Sequence, residues 1–125
     1  MMTLLNVENL QAYGDKGNTA LNGVSFSVAE GEIFGAVGVA GNGQKELAEV
    51  LTGIRHATKG KVFVNNYEIT NFHPRRIIDL GVRYAPEERV RSGIVSDFTL
   101  SENLILRNPQ NHPILDSFLI DYNKL

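Results

Sequence analysis

An apolar run, a glycine-rich loop and an amphipathic pattern follow one another without a break between residues 33 and 53. Ile33-Phe34-Gly35-Ala36-Val37 is apolar on both faces, which predicts a central strand covered on both sides. It leads straight into Gly38-Val39-Ala40-Gly41-Asn42-Gly43. Leu47, Ala48, Val50 and Leu51 then share one helical stripe, with Gly53 at the C-cap. A phosphate cradle needs this succession. Glycine lets the backbone turn tightly with successive N–H groups inward, and the helix N-terminus adds partial positive charge at the same point. From the glycines alone, a tight strand-to-helix turn without a ligand accounts for the pattern equally well. No dinucleotide fingerprint forms, because Gly41-x-Gly43 is followed by Glu46 where a third glycine is needed.

The residues after the loop limit its chemistry. A P-loop continues with Lys and then Ser or Thr, whereas this chain has Gln44, Lys45 and Glu46. Gln44 offers a neutral amide in place of the ammonium that reaches the β- and γ-phosphates, and losing a charge-assisted hydrogen bond costs roughly 1.5–3 kcal/mol. Lys45 is a donor only and cannot ligate Mg²⁺ as a hydroxyl there would. Glu46 adds negative charge near the phosphates. Lys45 is the available substitute cation, but it sits about 100° around the helix from position 44, a turn holding ~3.6 residues. The loop keeps a backbone cradle and lacks catalytic side chains.

The rest of the chain reads as short elements. Leu5-Asn6-Val7-Glu8-Asn9-Leu10 alternates as a half-buried strand, residues 14–19 form a hairpin loop, and Val24, Phe26 and Val28 mark one face of a second strand. Glu30-Gly31-Glu32 is a turn. Lys61-Val62-Phe63-Val64 and Tyr67-Glu68-Ile69-Thr70 flank Asn65-Asn66, a pair suited to positive φ in a tight hairpin. A short helix is predicted from Pro74 to Gly81, then a strand at Val82-Arg83-Tyr84-Ala85. Thr99-Leu100-Ser101-Glu102 has capping-box spacing and opens a helix through Arg107. His56, His73 and His112 read as surface loop residues with no ligand pattern.

Composition excludes several functions. The 125 residues carry 12 Lys plus Arg against 14 Asp plus Glu, a net charge of -2, so there is no electrostatic footprint for nucleic acid or an anionic membrane. With zero cysteines there is no disulfide scaffold, thiol nucleophile or Cys-ligated zinc. The longest apolar-and-Gly run, Ile33 to Gly41, is far short of a bilayer span. The first residues have neither a basic n-region nor a long h-region, so no signal peptide is expected and the chain reads as cytosolic.

The flanking motifs narrow the reading. Leu21-Asn22-Gly23-Val24-Ser25-Phe26, Glu30-Gly31-Glu32, the glycine loop, Leu51-Thr52-Gly53 and Thr58-x-Gly60 follow the order of ABC transporter nucleotide-binding domains. The chain resembles that family over residues 3 to 107. Gly41-Asn42-Gly43-Gln44 and Pro86-Glu87-Glu88-Arg89 resemble the second, degenerate cassette of tandem importers for simple sugars and nucleosides. Gly93-Ile94-Val95, Phe98-Thr99-Leu100 and Glu102-Asn103-Leu104 continue the match.

The resemblance implies an α/β fold: a P-loop NTPase-like partial core with an antiparallel β subdomain from residues 3–30 and 61–70. Residues 1–107 would form a partial nucleotide-binding domain and 108–125 the start of a helical subdomain or a tail. Gly38, Val39, Ala40, Gly41, Asn42, Gly43, Gln44, Lys45 and Glu46 correspond to Walker A. Tyr13 lies near the aromatic that stacks on adenine, with a simple packing role equally open. Glu87 takes the Q-loop position, which in the family contacts Mg²⁺ and the lytic water and lies against the membrane subunit. The sequence stops before a signature motif, a Walker B strand and a switch histidine, so the resemblance implies roughly the first half of a cassette, with no catalytic residue and no metal ligand assigned. ATP would bind weakly without hydrolysis by this chain, and Lys45 puts Mg²⁺ in doubt. Expected partners are a second cassette, in the same polypeptide or a partner chain, and transmembrane permease subunits at the cytoplasmic face, with no nucleic acid. Two alternatives stand beside this: a structural coupling half that binds no nucleotide, and an unrelated P-loop kinase or GTPase, which the matches after residue 80 disfavour. An incomplete core would leave a sheet edge open to association.

Overall fold

A computed structural model describes residues 2–106 and the two-residue strands Leu115–Asp116 and Leu119–Ile120. It divides into two units, Met1–Tyr84 and Ala85–Leu125. The expected end of the last helix at Arg107, the domain boundary after it and His112 lie outside the described residues.

In the first unit, β1 (Thr3–Tyr13) runs down the middle of a four-stranded antiparallel sheet, between β2 (Thr19–Ala29) and β3 (Lys59–Val64). β4 (Tyr67–Glu68) pairs with β3 at the edge. Between β3 and β4, Asn65 and Asn66 take φ 49° and 66°, the positive-φ hairpin turn expected of that pair. This sheet is the antiparallel subdomain expected from the sequence.

β1 does not keep one alternation throughout. Asn9 turns left-handed at φ 46°, and the register against β2 shifts between Val7 and Leu10. The bulge changes the phase of the strand, so Val7, Leu10 and Ala12 all enter the same core. Gly60 completes this crossing. At φ 88° any side chain is strained, and a Cβ would meet the Glu8 and Asn9 carbonyl oxygens at 2.5 Å.

α1 (Gln44–Leu51) and α2 (Pro74–Asp79) cover the core face of the sheet, contributing Val50 and Ile77 to the buried cluster with Leu21, Val62, Val64 and Ile69. Gly53 adopts φ 76° just after the α1 C-cap, Thr52. α2 starts at Pro74 as expected. Its cap is His73, whose Nδ1 accepts from the Arg75 N–H at 3.3 Å. Sequence reading placed His73 on the surface, which holds, but gave it no role.

Two expected strands are absent. Residues 32–39 and 82–85 form no strand. Ile33 is 98% and Val37 99% exposed. A central strand needs a ladder on each side, and among the described residues no segment pairs with this run. Within it, the Phe34 ring stacks on Phe26 with centroids 4.8 Å apart.

In the second unit, residues 89–93 form a single π-helical turn and α3 (Leu100–Ile105) carries the capping box in full. The Thr99 hydroxyl accepts from the Glu102 N–H at 3.3 Å, and the Glu102 carboxylate accepts from the Thr99 N–H at 2.8 Å. The Asn103 amide bonds the Val95, Phe98 and Thr99 carbonyls, tying the preceding loop to the helix. β5 (Leu115–Asp116) and β6 (Leu119–Ile120) pair antiparallel.

Leu10 is fully buried at the centre of β1 whereas Leu4 is 43% exposed. Leu10→Ala should therefore lose about 2–5 kcal/mol of stability, and Leu4→Ala well under half of that, in urea denaturation.

Candidate functional site

The glycine loop leaves the exposed residues 32–39 and ends on Gly43, the N-cap of α1. Gly41 has φ 88° and Gly43 φ 99°, both in the left-handed region. A Cβ on Gly43 would meet the Ala20 carbonyl oxygen at 2.7 Å and Leu21 Cδ2 at 3.2 Å, so the loop is pressed against β2 where only glycine fits. The Asn42 N–H donates to the Val39 carbonyl at 3.2 Å and closes the turn. No side chain caps α1. Its leading N–H groups have no intrahelical partner, and the helix dipole favours an anion there. This backbone fits a phosphate group.

The side chains expected at the loop behave less simply. Gln44 folds back across it: Nε2 donates to the Val39 carbonyl at 3.4 Å, and a Cβ on Gly38 would meet that nitrogen at 2.5 Å. The neutral amide is engaged with the loop itself. Lys45, the candidate substitute cation, pairs with Asp15 at 3.0 Å and Glu49 at 3.7 Å. Glu46 lies in the first turn of α1, where its carboxylate competes with any anion for the helix terminus. The donors at 44 and 45 suit phosphate contacts; Lys45 gives Mg²⁺ no oxygen.

Three residues not singled out in the sequence organise this corner. Arg55, only 18% exposed, donates to Asp15 Oδ1 at 2.5 Å, to Glu49 Oε2 through Nε at 2.8 Å, and to the Tyr13 carbonyl at 2.8 Å. It ties the β1–β2 loop to α1. The Lys45–Glu49 pair was readable as i, i+4 spacing, but Asp15 and Arg55 are 40 residues apart and meet only in the fold. Hydrogen bonds from Arg55 and then Lys45 hold the Asp15 carboxyl at about 2, below its ordinary 3.8. Asp15 raises the pKa of Lys45, with Glu49 adding to the effect, and Asp15 likewise raises that of Arg55.

Tyr13 ends β1 beside this cluster, 55% exposed, with its carbonyl fixed by Arg55. Glu87 lies in the second unit, exposed in the bend before the π-helical turn. Among the described residues no group of three His, Cys, Asp or Glu side chains is arranged to hold a metal.

An antiparallel β subdomain joined to a glycine loop and helix defines part of an α/β ATP-binding cassette. The ABC transporter family profile matches residues 21–123, and the chain belongs to that family. It is 38% identical over 122 residues to the glucose import ATP-binding protein TsgD13 of Haloferax volcanii, covering 98% of this chain and 22% of that protein. It is 35% identical over 122 residues to the nucleoside import ATP-binding protein NupA of Lactococcus lactis subsp. cremoris, covering 98% and 24%. The chain thus spans about a fifth to a quarter of the length of these curated relatives. Among solved structures, the ADP conformation of an ATP-binding cassette of an ABC transporter superposes with a TM-score of 0.61 at 36% identity, over 65% of this chain and 32% of that one.

The depressed Asp15 pKa has a pH consequence. Its contribution to stability is present above the unfolded value near 3.8 and is lost as pH falls through about 2. Carboxyl NMR titration should place the Asp15 midpoint near 2, and Arg55→Gln should move it back up towards 3.8. An unchanged midpoint in that variant would mean that Arg55 does not hold the carboxylate.

Proposed function

We propose that this chain is part of the ATP-binding subunit of an ABC importer for simple sugars or nucleosides, and that its nucleotide site is degenerate. Gly38, Val39, Ala40, Gly41, Asn42 and Gly43 form the phosphate cradle with the leading amides of α1. Gln44, Lys45 and Glu46 modulate it, Tyr13 lies towards the base, and Glu87 faces the coupling to membrane subunits. ATP is held weakly and the chain performs no hydrolysis alone. The partners are a second cassette and transmembrane permease subunits, at the cytoplasmic face of the membrane. Among the described residues, no helix is long and apolar enough to cross it.

One observation carries the reading of weak binding. The Gln44 amide is bonded across the loop to Val39, and the neighbouring ammonium is paired with two carboxylates. A triphosphate would meet a backbone cradle whose Lys45 ammonium is already paired, and would first displace the Gln44 side chain. The names of the matched relatives, which include guanosine and ribose import ATP-binding proteins, support the solute class. Bound Mg²⁺ would neutralise phosphate charge, and Lys45 would not ligate it.

Calorimetric titration with Mg-ATP should give a Kd on the order of 1 mM, and the double change Gln44→Lys with Lys45→Ser should tighten it about tenfold or more. Tight binding by the unaltered chain, or phosphate release by the pure protein, would overturn the reading. Loop amides that stay unshifted in millimolar ATP would favour a structural coupling half that binds no nucleotide.

A further inference from the structure

Lys45 is the second residue of α1, so its own N–H is one of the unpaired leading amides of the helix. Its four-carbon stem therefore starts beside any anion those amides hold. The ammonium is nevertheless drawn elsewhere, 3.0 Å from Asp15 and 3.7 Å from Glu49, which lies one turn further along α1 and away from the loop. Arg55 fixes both carboxylates through Nη2, at 2.5 Å from Asp15 and 2.7 Å from Glu49. Within this cluster the two cations and two carboxylates cancel.

We infer that Asp15, set in place by Arg55, is a positioning residue that holds Lys45 away from the phosphate loop, so that an ion-pair latch limits the loop's affinity for a triphosphate. This deepens the nucleotide reading above and rests on it. The latch is of a kind that a ligand can open. The side chains of Lys45 and Asp15 are 58% and 63% exposed, and exposed ion pairs contribute little because water screens them. A triphosphate carries more charge than one carboxylate and competes for the same ammonium. Capture of Lys45 by a triphosphate breaks its pair with Asp15, while Arg55 keeps the hairpin loop attached.

The test is calorimetric titration of the 125-residue chain with ATP and, separately, with inorganic triphosphate. Asp15→Asn should raise affinity for both ligands about two- to fivefold, the scale of one exposed ion pair. Adding Lys45→Met to Asp15→Asn should return affinity to the starting level or below it, which a merely structural role for Asp15 would not produce. Glu49→Gln should give a smaller gain in the same direction. If circular dichroism shows that Asp15→Asn does not fold, absence of gain in Glu49→Gln overturns the latch. Equal affinity in the unaltered chain and Asp15→Asn overturns it, as does a gain that survives Lys45→Met. Weak binding without gain leaves the nucleotide reading standing and removes the latch; no binding in any variant removes both.

Discussion

The left-handed residue Asn9 in the middle of β1 is the constraint on which the rest of the first unit depends. β1 pairs on both edges, so its side chains decide which face of the sheet is the core. Without the bulge, strict alternation would send Val7 and Leu10 to opposite faces. With it, Val7, Leu10 and Ala12 enter one core with Val50 of α1 and Ile77 of α2. Gly60 permits the close crossing, since its missing Cβ is what lets β3 approach the Glu8 and Asn9 carbonyls.

The glycine loop inherits its position from that sheet. Gly43 rests on the backbone of β2 at Ala20, and α1 departs from there into the core. Arg55 then ties the β1–β2 loop to α1 through Asp15 and Glu49. The left-handed glycine loop and the Asp15, Lys45, Glu49 and Arg55 ion pairs are products of the same packing. That combination belongs to a chain of the ABC transporter family.

Much of this was legible locally. The Asn65-Asn66 turn, the helix opened by Pro74 and the Thr99–Glu102 capping box appear where their residue types require, because each rests on dihedral preferences or bonds within four residues. The loop glycines were legible for the same reason. The Ile33-Phe34-Gly35-Ala36-Val37 run was not. Apolarity on both faces is necessary for a central strand, but the strand itself consists of ladders with neighbours, and among the described residues none pairs with it.

The sequence by itself determined the turns, the caps, the glycine cradle and the loss of the P-loop lysine and hydroxyl at Gln44 and Lys45, since these depend on the identity of adjacent residues. Only the tertiary structure decided the phase of β1, the exposure of residues 33–37 and the destination of the Lys45 ammonium. Asp15, Lys45 and Arg55 stand 30 and 40 residues apart, and an attraction between charges acts only once the fold brings them within reach.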